Sequence, residues 1–133
     1  MFKVSQNLKP ISYDVGLLLL RIAAGGLMLY HGAPKLFNFQ DRFTTFSDPI
    51  GLGPGLSLIL VTFAEFFCSV FVIVGAFTRV ALIPLLINMT VIVFIVHGGD
   101  PIKKKELAVF YLLTFLGLFF TGPGKFSIDG MRK

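Results

Sequence analysis

The chain has 133 residues, of which 55% are hydrophobic and 14% are charged, and its formal net charge is +5. A soluble domain carries about 25% charged residues, so this chain has too little polar surface to cover itself against water. That excludes an ordinary soluble globule and a disordered protein. Because Cys68 is the single cysteine, a disulfide-stabilised domain is excluded as well. Zinc-ligand spacings, a Walker loop and a GxGxxG turn do not occur in the sequence.

Four apolar runs follow one another along the chain. A bilayer core needs about 20 helical residues, with about 17 to 25 as the working range. The predicted spans cover residues 15–33, 55–77, 80–97 and 107–121. The fourth run is short, but the stems of the lysines before it can lie along the membrane interface and lengthen it. The sequence therefore predicts an all-α integral membrane protein, a single domain over residues 1–133 folded as an antiparallel four-helix bundle.

The connection between the first two spans carries a pattern of its own. Leu36, Phe39, Phe43 and Phe46 recur at spacings of three and four, with polar residues between them. This spacing is typical of a short amphipathic helix that lies in the membrane interface. The alternative interpretation is a lid across a site, and the sequence leaves both open.

The distribution of lysine and arginine sets the expected orientation. With four spans, the side that holds both termini carries six of these residues and the opposite side carries five. The first group is Lys3, Lys9, Arg79, Lys125, Arg132 and Lys133, and the second is Lys35, Arg42, Lys103, Lys104 and Lys105. The positive-inside rule then places the termini in the cytoplasm by a narrow margin. Cations beside anionic lipid account for the net charge, so no nucleic-acid partner is expected.

Three strongly polar side chains fall inside the predicted spans. Arg21, Glu65 and Asn88 lie roughly 18, 15 and 14 Å below the same membrane face if each residue rises 1.5 Å. Such groups are costly in a membrane and face the protein interior. We therefore predict an ion pair between Arg21 and Glu65, with Asn88 as a hydrogen-bond partner. The cluster either serves a function or only holds the helices together.

A second polar group lies where the first and third spans end and the fourth begins. It comprises His31, Lys35, His97 and Glu106. Histidine exchanges a proton near neutral pH, and lysine binds anionic or carbonyl oxygens. Above the charged cluster, these side chains predict a polar entrance to a site between the helices. The alternative is that they are ordinary interfacial side chains at helix ends.

Several short motifs together resemble the DoxX family. They are Leu20-Arg21-Ile22, His31-Gly32-x-x-Lys35, Ala64-Glu65, Thr78-Arg79, Asn88 followed by His97, and Gly122-Pro123-Gly124 before Ser127-Ile128-Asp129. The resemblance covers roughly residues 16–129. It implies a four-helix protein of the bacterial inner membrane. Some relatives are membrane subunits of thiosulfate:quinone oxidoreductase, and others are associated with quinone or catechol resistance or with oxidative-stress complexes at the membrane.

A quinone-type ligand is chemically compatible with the polar residues of the spans. Its two carbonyl oxygens need hydrogen-bond donors, and its reduction needs protons. The candidate ligand-binding residues are Arg21, His31, Lys35, Glu65, Asn88, His97 and Glu106. No residue is assigned a catalytic role, and no metal site is predicted. Because the sequence carries no electron-carrier motif, we expect a membrane subunit that binds a quinone or hydroquinone while an oxidoreductase partner supplies the electrons.

Three other functions stay open from the sequence. A scaffold or assembly subunit would use the buried charges only for folding, and a small transporter or channel would use them as a midplane site. Haem ligated by His31 and His97 is the third, but we do not expect it, because both residues lie at span ends, which is shallow for a haem. No covalent cofactor is expected. Whether the chain forms a homo-oligomer is left open.

Overall fold

The computed structural model describes residues 10–132, and every regular element in that range is a helix. The helices are α1 (Tyr13–Phe37), α2 (Phe39–Arg42), α3 (Pro54–Val74), α4 (Thr78–Val96), α5 (Ile102–Thr121) and α6 (Ile128–Met131). Three of them, α1, α3 and α4, are long and apolar enough to cross a membrane. The prediction of an all-helical protein suited to a lipid bilayer is confirmed.

The long helices pack in chain order and the last returns to the first. Helix α1 packs on α3, α3 on α4, α4 on α5, and α5 on α1. The buried centre is built from Met28, Leu82, Leu85, Phe115 and Leu118. On the outer faces large apolar side chains are widely exposed, an arrangement that suits lipid and would promote aggregation in water.

Membrane topology beyond these three helices stays a prediction. Helix α5 has 20 residues, but its first turns carry three lysines and Glu106. It is therefore not among the helices that are apolar enough to cross a membrane. A fourth span and an antiparallel four-helix bundle are therefore not confirmed. Of the cations that predict the orientation, Lys3, Lys9 and Lys133 lie outside the described residues, so the cytoplasmic location of the termini also stays a prediction.

Two helix boundaries differ from the predicted ones. Helix α1 continues past residue 33 to Phe37, with Pro34 inside its last turn, and Lys35 is therefore a helical residue. Helix α3 stops at Val74 because Gly75 takes a left-handed conformation with φ of 72°, which is a common way for a helix to end.

Both α3 and α4 contain a π-helical turn. These turns cover Phe63–Cys68 and Ile92–Val96. A π-helical turn accommodates one extra residue, which changes the direction of the side chains after it, and such turns are frequent at functional sites. Glu65 lies within the first turn and His97 directly follows the second.

The segment between α1 and α3 is mostly loop. The predicted interfacial amphipathic helix is not confirmed, because Leu36 belongs to α1 and α2 has only four residues. The loop that follows is held by Asp48, whose carboxylate accepts hydrogen bonds from the backbone N–H of Leu52 at 2.8 Å and of Gly53 at 2.9 Å. It also accepts one from the Ser57 hydroxyl at 3.1 Å. The loop is thereby fixed to the start of α3.

Candidate ligand-binding site

One carboxylate joins three helices. Glu65 on α3 accepts a hydrogen bond from Nζ of Lys35 on α1 at 2.7 Å and another from Nδ2 of Asn88 on α4 at 2.8 Å. The side chain of Glu65 is 5% exposed and that of Lys35 is 19% exposed. Lys35 Nζ also donates to the carbonyl oxygen of His31 at 3.2 Å. We call Lys35, Glu65 and Asn88 the polar cluster.

Close packing of α1 against α3 brings Lys35 to Glu65. A Cβ atom on Gly32 would lie 2.5 Å from the carbonyl carbon and oxygen of Glu65, so the two backbones are in direct contact there. Nearer the start of α1, a Cβ atom on Gly25 would lie 3.3 Å from the carbonyl oxygen of Ser69 on α3. Since higher residue numbers on α1 meet lower ones on α3, the two helices run antiparallel. Small residues at these positions allow the approach, as is typical of membrane helix pairs.

The predicted ion pair between Arg21 and Glu65 is wrong. Arg21 is fully buried, but its hydrogen bonds to the described residues 10–132 all go from the guanidinium to backbone carbonyl oxygens. The acceptors belong to Val72, Ile73, Pro123 and Phe126. The predicted contact between Glu65 and Asn88 is confirmed, and the cation beside Glu65 is Lys35.

The register of α1 against α3, together with the direction of the side chains, explains the error. A helical side chain leans toward the N-terminus of its own helix. Because α1 and α3 are antiparallel, Arg21 leans toward the end where α1 begins, whereas Glu65 leans toward the end where α1 finishes. Lys35 leans back along α1 toward Glu65. Gly32 is the α1 residue that packs on Glu65, and Arg21 lies eleven residues earlier in the same helix, roughly 16 Å away at 1.5 Å per residue. Arg21 and Glu65 are therefore not at the same depth, and the opposite directions of their side chains separate them further.

The Arg21 side chain belongs to a second polar region, at the opposite end of the α1–α3 interface. We call Arg21, Asp129 and the chain from residue 122 to residue 131 the C-terminal clamp. Asp129 accepts hydrogen bonds from the backbone N–H of Phe77 at 2.9 Å and from the N–H and hydroxyl of Thr78 at 2.9 and 2.8 Å. Its carboxylate thus satisfies free N–H groups where α4 begins.

The clamp also sets the ionisation of its carboxylate. Partial burial alone would raise the pKa of Asp129, but the hydrogen bonds from Thr78 and Phe77, together with the nearby charge of Arg132, outweigh it and hold that pKa below its usual value. Hydrogen bonds to the charged form of a carboxyl group favour that form. Asp129 is therefore suited to a structural role as a charged cap.

A cavity of about 570 Å³ lies between α3 and α4, and the polar cluster forms part of its wall. This volume falls within the range of about 300 to 1,000 Å³ that is usual for small-molecule sites. Much of the remaining lining is apolar and includes Leu60, Phe63 and Ile87. These three side chains are also about half exposed, so other side chains do not close over the apolar part of the wall.

The loop after α2 forms another wall of this cavity. Phe46, Pro49, Ile50 and Leu52 all line it. These residues come from the segment that Asp48 fixes to the start of α3. The lid interpretation of this segment is therefore supported by its position, although the predicted helix is not.

A smaller cavity of about 310 Å³ reaches the same polar cluster from another side. It is lined by His31 on α1 and by Lys104, Lys105 and Tyr111 on α5. Lys104 is exposed in the first turns of α5, so this cavity opens at the polar end of the helices. The residues that line both cavities are Lys35, Glu65, Ile92 and His97. The two cavities therefore meet at the polar cluster.

The two histidines have different surroundings. His97 lies 2.8 Å from Asp100, measured from Nδ1 to Oδ2, and it lines both cavities. His31 is exposed, packs edge-on against the Tyr111 ring with the ring centres 6.0 Å apart, and lines only the smaller cavity. His97 is thus the histidine at the junction.

The structure brings five of the seven predicted site residues to the two cavities. They are His31, Lys35, Glu65, Asn88 and His97. Arg21 lies in the C-terminal clamp, and Glu106 is exposed and lines neither cavity. Within residues 10–132, no three His, Cys, Asp or Glu side chains come together as a metal-binding group.

Sequence reasoning missed Asp100 and Tyr111. Asp100 stands three residues after His97 in the turn that follows α4, and this spacing is a usable signal for an orienting carboxylate. Tyr111 is a buried polar ring in an otherwise apolar helix, which is also visible in the sequence.

The sequence model of the DoxX family matches residues 16–98. The chain belongs to the DoxX family. An uncharacterized protein of Haemophilus influenzae is 30% identical over 117 residues, which is 83% of this chain and 85% of that protein. No solved structure matches the chain. The region of this DoxX protein that matches the family ends just after α4, so it includes the whole polar cluster but not the residue 122–131 part of the clamp.

Proposed function

We propose that this DoxX protein is the membrane subunit of a redox system and binds a quinone or hydroquinone in the cavity between α3 and α4. The observation that carries the proposal is the composition of the cavity wall, where the polar cluster faces an otherwise mostly apolar space of about 570 Å³. A quinone combines an apolar ring with two oxygen atoms and matches such a wall. No covalently bound cofactor is required.

Hydrogen-bond donors remain free in the polar cluster. Lys35 has three N–H donors, and two of them are used by Glu65 and the His31 carbonyl. Asn88 has two N–H donors on Nδ2, and one of them is used by Glu65. Counted over the part of the chain that the structure describes, each residue therefore keeps one donor for a ligand oxygen, and a charged donor contributes more to binding than a neutral one.

The exposed apolar wall of the cavity supports a ligand that dissolves in the membrane. Leu60, Phe63 and Ile87 line the cavity and are about half exposed. A quinone with an apolar tail would enter between α3 and α4 and leave its tail among these side chains. Burial of this apolar surface contributes to affinity in proportion to its area.

The electrons in this proposal come from another protein. Reduction of a quinone needs two electrons and two protons, and the sequence carries no motif for an electron carrier. We therefore propose a soluble or membrane-bound oxidoreductase partner that supplies the electrons, and a location in the bacterial inner membrane. This chain supplies the binding site.

The test is binding of a short-chain benzoquinone to the purified protein in lipid nanodiscs, measured by titration calorimetry. We expect saturable binding to the wild type and about a 10-fold loss of affinity in Asn88→Leu, which removes one hydrogen bond from the cavity wall. Thr90→Leu is the matched control, because Thr90 is on the same helix and exposed on its outer face. Its affinity should equal that of the wild type.

Two results would contradict the proposal. One is a wild type without saturable binding, which would favour a scaffold subunit without a ligand. The other is equal loss of affinity in Asn88→Leu and Thr90→Leu, which would place the binding outside the cavity.

A further inference from the structure

Asp100 determines which nitrogen of His97 can meet a ligand. An ionised carboxylate only accepts hydrogen bonds, so the 2.8 Å contact requires a hydrogen atom on Nδ1 of His97. This holds whether the ring is neutral or charged. Nε2 is then the atom that gains and loses a proton, and no residue within the described range 10–132 forms a hydrogen bond with it.

The turn after α4 holds this histidine in place. The backbone N–H of His97 donates to the carbonyl of Ile92 at 2.9 Å, and the N–H of Asp100 donates to the carbonyl of His97 at 3.0 Å. Between them, a Cβ atom on Gly98 would collide with the carbonyl oxygen of Phe94, so the turn requires glycine there. Asp100 is therefore a positioning residue for the ring at the junction of the two cavities.

Acceptors outnumber donors around the polar cluster. Each Glu65 oxygen accepts one hydrogen bond and retains a lone pair, the Oδ1 atom of Asn88 is a further acceptor, and neutral His97 offers Nε2. Lys35 and Asn88 keep one free N–H donor each. A ligand that only accepts hydrogen bonds would satisfy the donors and leave most of the acceptors without a partner.

We infer that the His97–Asp100 pair makes the cavity selective for the reduced, hydroxyl-bearing form of its ligand, an aromatic diol of the hydroquinone type. This inference rests on the proposed function. A quinone offers two acceptor oxygens, whereas the diol offers two O–H donors in addition. One O–H group donates to Nε2 of His97, and the ligand oxygens still accept from Lys35 and Asn88.

The first experiment compares the oxidised and reduced forms of one short-chain benzoquinone, titrated without oxygen into nanodiscs at about pH 8, where an imidazole is ordinarily neutral. We expect the wild type to bind the diol about 3- to 10-fold more tightly than the quinone, because one additional hydrogen bond typically changes affinity by about this factor. Asp100→Ala should bring this ratio of affinities close to one. Asp41→Ala is the control, because Asp41 is exposed in α2, and it should keep the wild-type ratio.

The second experiment reads the ring directly by nitrogen NMR of histidine-labelled protein. The chain has only two histidines, so His31→Gln assigns both sets of signals. We expect neutral His97 to carry its hydrogen on Nδ1 in the wild type and to lose this preference in Asp100→Ala. The signals of His31 should not move.

The outcomes separate the two proposals. If both forms bind equally well, or if the ratio is the same in the wild type and Asp100→Ala, the selectivity is wrong while the proposed function stands. If neither form binds, the proposed function is wrong, and the selectivity that depends on it is wrong as well. A His97 ring with its hydrogen on Nε2 in the wild type would overturn the positioning role of Asp100 in either case.

Discussion

The polar cluster and the C-terminal clamp occupy opposite ends of the α1–α3 interface and treat a buried charge in different ways. In the clamp, Arg21 donates to four backbone carbonyl groups and lines neither of the two cavities that meet at the polar cluster. In the cluster, Lys35 and Asn88 each keep a free donor beside a cavity. A charged side chain inside a membrane helix thus indicates a ligand site when it keeps an unused hydrogen-bond donor next to a cavity.

The clamp has an evident structural purpose. Two of its acceptors, the carbonyl groups of Val72 and Ile73, belong to the last turn of α3, where helical N–H donors run out. The Val72 carbonyl also accepts a hydrogen bond from the backbone N–H of Gly75 at 3.2 Å. The other two, on Pro123 and Phe126, lie in the segment after α5. Arg21 therefore ties the end of α3 and the C-terminal segment to the middle of α1.

The largest effect that follows from this comparison is on folding. Arg21→Leu would remove the charged donor of all four carbonyl groups, and we expect a loss of stability of about 3 kcal/mol or more, since hydrogen bonds to charged groups contribute about 1.5 to 3 kcal/mol each. The measurement is the midpoint of thermal unfolding in detergent, followed by size-exclusion chromatography.

Arg21→Lys is the informative companion, because lysine keeps the charge but lacks the planar fork of five donors. It should recover only part of the loss. An Arg21→Leu protein as stable as the wild type but unable to bind the short-chain benzoquinone would contradict the division between clamp and site.

Much of the fold and part of the site could be predicted from the sequence. The apolar runs located the three membrane helices because burial in lipid requires long continuous apolar stretches. The contact between Glu65 and Asn88 was predictable as well, since both are polar residues at similar depth on neighbouring helices. These features depend on periodicity and length, which a single sequence displays.

The partners of the charges could not be predicted in the same way. The acceptors of Arg21 are backbone carbonyl groups, which every residue carries, so no residue type marks them in the sequence. The predicted first span ends at residue 33, before Lys35, yet proline in the last turn of α1 is tolerated and the helix continues. Choosing Lys35 over Arg21 needed the register between α1 and α3, which the ends of the apolar runs do not give.

The second prediction measures the coupling inside the polar cluster. Glu65→Gln leaves the Lys35 ammonium group largely buried without its counter-charge, and a second change, Lys35→Gln, removes that charge. We expect a favourable coupling of about 1 to 2 kcal/mol between the two residues in a double-mutant cycle of thermal stability.

The same cycle with Arg21→Gln in place of Lys35→Gln is the control. Arg21 and Glu65 share no partner, so their effects should add within about 0.5 kcal/mol. Coupling between Arg21 and Glu65 as strong as that between Lys35 and Glu65 would show that the two regions are not separate.

The smallest predicted effect concerns Asp129, the charged cap of the clamp. Asp129→Asn should lower stability at pH 7 by about 0.5 to 1 kcal/mol, the usual worth of a helix cap. The pKa of Asp129 is held below its usual value in the folded protein, so this contribution is present above the unfolded pKa of about 3.9 and is lost as the pH falls through the folded pKa. The difference in unfolding midpoint between wild type and variant should therefore be constant from pH 7 to about pH 5 and shrink below about pH 4.

A difference that grew on acidification would mean that the neutral form of the carboxyl group makes the cap, and the role of Asp129 as a charged cap would be wrong.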